Sequence, residues 1–228
     1  MTAPAAPPLA LDHLVVAAAT LEDGVRFVEE RLGAPLEPGG RHEGFGTHNA
    51  LLRLGPDVYL EVLAPDPAQP APLRPRLFGL DAPDVRTALA GGPRLLHWVA
   101  RTSDLPGALA ALAAAAGLPP GALGRPVPMR RGALAWDLAL RDDGARPPAG
   151  LPSLIDWAGA PHPCGRLPER RVALQRLELS APPGVIEALR LFPGDRVRAT
   201  PGAPGALRAK LATPAGEAVL GGERGTPG

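Results

Sequence analysis

The chain has 228 residues, and its 31 prolines and 28 glycines bring it near the compositional edge of disorder. A hydrophobic fraction of 45% with a formal net charge of +1 argues instead for a folded core with proline-rich loops. The balance of 24 basic and 23 acidic residues gives no electrostatic case for a nucleic acid or an anionic membrane as partner. In chain order, the pattern predicts a strand over 11–17. A helix follows, opened by the Thr20/Asp23 capping pair, carried by Leu21, Val25, Val28 and Leu32, and closed by Gly33. Strands are expected over 35–41, 47–54 and 58–63. Residues 64–93 form a proline-rich connector with a short helix over 83–90, long enough to be expected to pack against something or cover a site. A second unit then repeats the grammar. It has a strand over 95–101, a helix capped by Ser103 or Asp104 and ended by Gly117, and strands over 127–131, 133–141 and 153–157. A third unit opens at 174–179 and leads into a helical stretch over 183–191. Residues 1–8 and the tail after Leu220 are expected to be disordered.

The repeat is in register. His13 and His97 are each the third residue of their opening strand, and each is followed eight residues later by a leucine, Leu21 and Leu105. Strand alternation puts His13, Val15 and Ala17 on one face, and Tyr59, Glu61 and Leu63 on one face of the closing strand. An ionisable group buried unpaired among apolar neighbours costs several kcal/mol, so His13 and Glu61 should face a cavity, a partner or a metal. The parallel positions in the second unit are His97 and Asp156. Two imidazoles and two carboxylates from equivalent places suit a divalent cation with open coordination positions. A strand histidine is, however, more commonly a hydrogen-bonded structural residue.

Residues 11–17, the stretch from Gly39 to Leu52 and Tyr59 to Pro65, with 96–102 and 152–157, resemble the glyoxalase-like domain of the vicinal oxygen chelate superfamily. The resemblance covers roughly residues 9–163. It implies an α+β fold: tandem βαβββ modules (9–66 and 95–165, joined by the connector 67–94) forming a half-open mixed-sheet barrel around a cleft. A third, degenerate module over 171–220 would follow. It also implies that His13, Glu61 and His97 bind a divalent metal (Zn, Fe, Mn or Ni), with Asp156 in the fourth position. Asp156 departs from the family's glutamate, and a shift of one register would turn Ile155 to the cleft instead. A cation held there would suit a lyase, isomerase or dioxygenase acting on a small oxygenated metabolite, with a nearby carboxylate, Glu61, or His48 moving protons. Some relatives pair chains to complete the barrel, so a homodimer is possible, although two modules could suffice in one chain. The alternative is a metal-free protein of the same fold that sequesters a small molecule.

The glycine-rich segment 39–46 lets backbone approach a ligand closely. Arg41, His42, Asn49 and Tyr59 are the expected substrate contacts, with His42 and His48 also able to ligate or shuttle protons. Trp98 and Trp157 are expected in the core on the opposite strand face, and Trp136 on either face. His162-Pro163-Cys164 is half of a deaminase zinc motif, without the second cysteine or the upstream His-x-Glu. The lone Cys164 excludes a disulfide framework and a multi-thiolate zinc site, and nothing marks it as a nucleophile. No apolar run reaches the ~20 residues that span a bilayer, and residues 9–19 make a poor signal peptide. The expected setting is the cytoplasm. The basic residues are all arginine save Lys210, which reads as codon bias from a GC-rich, bacterial genome.

Overall fold

The computed structural model describes residues 8–202, 204 and 207–222. Residues 1–7 and 223–228, within the ends expected to be disordered, lie outside the described residues. Strand β1 (Ala10–Ala17) leads into helix α1 (Leu21–Leu32) and strands β2 (Glu37–His42), β3 (Thr47–Arg53) and β4 (Tyr59–Pro65). The connector carries α2 (Pro83–Ala90). The element order then repeats in β5 (Arg94–Arg101), α3 (Leu105–Ala115), β6 (Arg125–Arg131), β7 (Leu134–Leu140) and β8 (Ser153–Asp156). The third unit is β9 (Ala173–Ala181), α4 (Pro183–Leu189), β10 (Val197–Pro201), β11 (Arg208–Thr213) and β12 (Gly216–Gly221).

Local chemistry sets the helix ends. Thr20 Oγ1 accepts the Asp23 N–H at 3.2 Å, and Gly33 takes a left-handed φ of 63° while its N–H donates to the Glu29 carbonyl at 2.8 Å. Asp104, rather than Ser103, caps α3 by accepting the Gly107 N–H at 3.0 Å.

The first two units merge into one eight-stranded mixed sheet in the order β2-β3-β4-β1-β5-β8-β7-β6. β1 and β5 pair antiparallel at its centre, and each pairs parallel with the last strand of its own unit. The sheet curls until its edge strands, β2 and β6, approach each other, giving a half-barrel. On the outer face Leu14, Val16, Leu60, Val62 and Trp98 pack into a core shared with α1, α3 and α4. The second sheet, β10-β9-β11-β12, joins that same core. Here β9 pairs parallel with β10, the first strand after the helix, so the third unit keeps the repeat's element order but not its sheet order.

The inner face is a separate apolar cluster that includes Val15, Ala17, Leu63, Val99, Trp136 and Ile155. Leu77, Phe78 and Leu80 of the connector pack into it. Burying these three side chains holds the connector against the barrel as a plug, with roughly 1.5–3 kcal/mol expected from each large apolar group. Among the described residues, no helix is long and apolar enough to cross a membrane.

Candidate active site

Strand register gathers the polar residues of the first module. β1 places His13 opposite Tyr59 and Val15 opposite Glu61, and β3 places Leu51 opposite Glu61. Alternation therefore turns His13, Asn49, Tyr59 and Glu61 to the inner face together. A register shift in β2 between Pro38 and Arg41 leaves His42 opposite Thr47, with its ring buried inside and Arg41 exposed. These side chains wall one half of a cavity of about 40 Å³. The other half comes from the second module, where Met129, Trp136, Leu138 and Ile155 are apolar and Arg131 carries charge. Leu77 and Phe78 close it.

Among the described residues Glu61 is the single carboxylate on this wall. Asn49 Nδ2–H donates to Glu61 Oε1 at 2.6 Å, while Asn49 Oδ1 accepts the Gly40 N–H at 2.7 Å, so both ends of the amide are fixed. His13 Nε2 lies 3.7 Å from Glu61 Oε2, and His42 Nε2 lies 3.8 Å from Oε1. Burial holds the His42 pKa below the ordinary imidazole value, against the opposing pull of Glu61. Tyr59 stacks on the His13 ring at 4.6 Å and 20°, and burial, reinforced by Asp12 and Glu61, keeps its phenol protonated well above the usual range. The glycines of the 39–46 segment are needed close by. A Cβ on Gly39 would stand 2.0 Å from Asn49 Oδ1, and one on Gly40 would stand 2.5 Å from Arg131 Cδ. What the bare backbone admits at these positions is two of the chain's own side chains.

Behind His13 sits Asp12, which strand alternation alone does not mark. A register shift between Leu11 and His13 opposite β5 breaks the alternation, and Asp12 comes to lie beside the ring. Asp12 is fully buried. Its Oδ1 accepts His13 Nδ1–H at 2.6 Å, and its Oδ2 accepts Trp157 Nε1–H at 3.0 Å and His162 Nε2–H at 3.1 Å. The His162 tautomer follows from the Cys164 N–H donating to Nδ1 at 3.3 Å. Burial works to raise the Asp12 pKa, but the hydrogen bonds and charges of His13 and His162 outweigh it and hold the carboxyl well below its ordinary value. Trp157 thus leaves the expected outer core to pin Asp12 and line the cavity, whereas Trp98 is buried in the outer core as expected. Trp136 faces inward.

The four donors expected around a divalent ion do not meet. Pairing of β1 with β5 sets His13 opposite Val99 and His97 opposite Val15, so the two residues are offset diagonally across the strand pair rather than facing each other. His97 is buried under Phe78 at a ring separation of 4.9 Å. Its Nε2 accepts the Ser153 N–H at 3.2 Å and meets Ser153 Oγ at 3.0 Å. Asp156 turns out of the inner face, where Ile155 stands instead, and accepts the Ala158 N–H at 2.8 Å. Among the described residues no group of three or more His, Cys, Asp or Glu is arranged to hold a metal ion. The donor set therefore does not fit the cation that the resemblance implies. Arg41 and His48 gather elsewhere, around Asp66, with Arg41 Nε 3.1 Å from Oδ2 and His48 Nδ1 4.0 Å from Oδ1. His48 Nε2 is buried without a partner, off the Glu61 cavity.

Two expectations follow from these environments. Burial first, then Arg146 and His13, holds the His97 pKa well below 6.5. The unfolded chain then binds the extra proton below that value, so the stability due to neutral His97 is present above pH 6.5 and is lost as the pH falls toward the folded value. Urea unfolding at pH 7, 6 and 5 should show this slope, at most about 1.4 kcal/mol per pH unit for one proton, and His97→Gln should flatten it. Cys164 is buried and its thiol is pushed up to about 12 by desolvation. Ellman's reagent at pH 8 should leave the folded protein essentially unreacted and titrate one thiol in denaturant.

A family model described as a glyoxalase-like domain matches residues 11–189. No curated protein matches the chain. Among solved structures, a hypothetical protein from Staphylococcus aureus superposes with a TM-score of 0.51 at 15% identity, covering 93% of this chain and 84% of its own. Methylmalonyl-CoA epimerase from Mycobacterium tuberculosis gives 0.41 at 21% identity, covering 68% and 92%. The first likeness concerns the fold alone, and the second is too distant to argue from. The match over residues 11–189, on a curled sheet built from two βαβββ units, shows that this chain belongs to the glyoxalase-like domain family of the vicinal oxygen chelate superfamily.

Proposed function

We propose that the chain is a proton-transfer enzyme of the isomerase or lyase type, acting on a small oxygenated metabolite with Glu61 as its base. The observation that supports this most is one carboxylate in a largely apolar cavity, held on one oxygen by Asn49 and facing His13 with the other. Glu61 would take a proton from a carbon beside a carbonyl, and the C–H electron pair would move onto the carbonyl oxygen as an enolate. The protonated Tyr59 phenol is a donor suited to that oxyanion. With His13 Nδ1–H committed to Asp12, its Nε2 is one short step from Glu61 Oε2, and a proton held by one can pass to the other. Returning it to the same or a neighbouring carbon completes an isomerisation. A cavity of about 40 Å³ holds little more than a water molecule, so substrate enters when Leu77 and Phe78 swing away. Phe78 already sits at a φ of 56°, which is disfavoured for a residue with a side chain.

The test is solvent exchange. A panel of 2-oxo, 3-oxo and hydroxy acids is incubated with the protein in deuterated water, and proton NMR follows loss of the C–H signal. At least one compound should exchange faster than in its enzyme-free control. A metal-free sequestering protein is the second reading, favoured by the apolar wall of Met129, Trp136, Leu138 and Ile155. It expects a tightly held molecule that mass spectrometry recovers unchanged, with no exchange into any compound.

A further inference from the structure

We infer that the Glu61 cavity takes carboxylate-bearing molecules, and that Arg131 is the residue that holds the carboxylate. Along β6 the inward positions are Val127, Met129 and Arg131, two apolar side chains followed by a cation. Three other part-buried arginines reach carboxylates, with Arg53 3.6 Å from Glu169, Arg101 3.3 Å from Asp57 and Arg170 2.7 Å from Glu37, while Arg146 donates to the Leu96 carbonyl at 3.0 Å. Arg131 has no such partner among the described residues. The face of Trp136 lies 6.0 Å from its guanidinium carbon. The neighbouring cation, Arg166, repels it, and neither has an ion pair among the described residues. Glu61 attracts Arg131 across the cavity without pairing to it. A cation withdrawn from water without a partner is unfavourable, and burial accordingly depresses the Arg131 pKa.

The chain also makes room for this cation. A Cβ on residue 40 would fall 2.5 Å from Arg131 Cδ and 2.9 Å from its Nη1, so Gly40 is what lets the side chain lie across β2. The planar fork of a guanidinium matches the two oxygens of a carboxylate, which would supply the missing charge and hydrogen bonds together. One carboxylate of a dicarboxylate can neutralise Arg131 while its second charge turns toward Arg166, whereas a phosphate dianion gathers both charges on one group facing Glu61. Arg166 at the surface would draw the anion in. The inference rests on the reading of this cavity as the site, and its test uses binding alone, independent of turnover.

Calorimetric titration of the full chain with malonate, inorganic phosphate and the uncharged malonamide provides that test. Saturable binding of malonate at least tenfold tighter than that of the other two is expected. Arg131→Gln should lose it by tenfold or more, Arg131→Lys should recover part, and Arg166→Gln should weaken it less than Arg131→Gln. Glu61→Gln should bind malonate as well as the wild type or better, so a failed proton-transfer reading leaves this result standing. Circular dichroism checks that each variant is folded. Malonate and malonamide binding alike, phosphate binding in preference, no malonate binding at all, or folded Arg131→Gln binding malonate like the wild type would each overturn the inference.

Discussion

Glu61→Gln should lower the rate of substrate C–H exchange by about a thousandfold while leaving the protein folded. General-base catalysis is typically worth 10²–10⁴-fold, and glutamine removes the base without removing the bond from Asn49, because its carbonyl can still accept that N–H. Glu61→Asp tests position separately. It keeps the charge but withdraws it by one methylene from both Asn49 and His13, and it should fall between the wild type and glutamine. The measurement is initial exchange rate at saturating substrate, with thermal unfolding to show that the loss is chemical. Glutamine retaining wild-type exchange would remove Glu61 from the role of base.

The largest effect on stability is expected from Asp12→Asn. Three N–H groups, from His13, Trp157 and His162, converge on this fully buried carboxylate, and asparagine offers one acceptor oxygen where the native residue offers two. Breaking such an arrangement should cost about 3–5 kcal/mol, a large share of the ~5–15 kcal/mol that holds a typical domain together. The pH dependence has a definite sign. Because the folded carboxyl titrates below its ordinary value of 3.8, its contribution is complete above that value and is lost as the pH falls through the folded pKa. The gap between wild type and variant in urea unfolding should therefore be constant from pH 8 to pH 5 and shrink only under strong acid. Trp157 and His162 lie beyond the second module's last strand, so the same variant should also loosen residues 157–165 in hydrogen exchange.

Much of this arrangement was readable because period-two alternation is strict along most of the strands. His13 and Glu61 were placed on one face from their neighbours alone, and the outward leucines and valines beside them entered the outer core. The connector's length announced that it covers something, and Leu77 with Phe78 is how it does so. Asp12 escaped notice because a register shift, invisible to alternation, turns it toward its neighbour. His97 kept the register of the repeat, but its strand pairs so as to set it opposite Val15, and Ser153, distant in sequence, occupies its nitrogen. The open register of Asp156 resolves toward Ile155, whose side chain joins the inner cluster. Arg131 had a signal, the alternation of Val127, Met129 and Arg131, hidden in a chain whose basic residues are almost all arginine. His162 could be found only through its partner, since half of a zinc motif is also an ordinary turn that donates to a buried carboxylate.

Exchange measured on protein stripped with a strong chelator tests most directly whether the chain's own groups move the proton. Stripped wild type should keep its exchange rate, with Glu61→Gln lower by about a thousandfold under the same conditions. Loss of exchange on stripping, restored by one equivalent of a divalent ion, would contradict this.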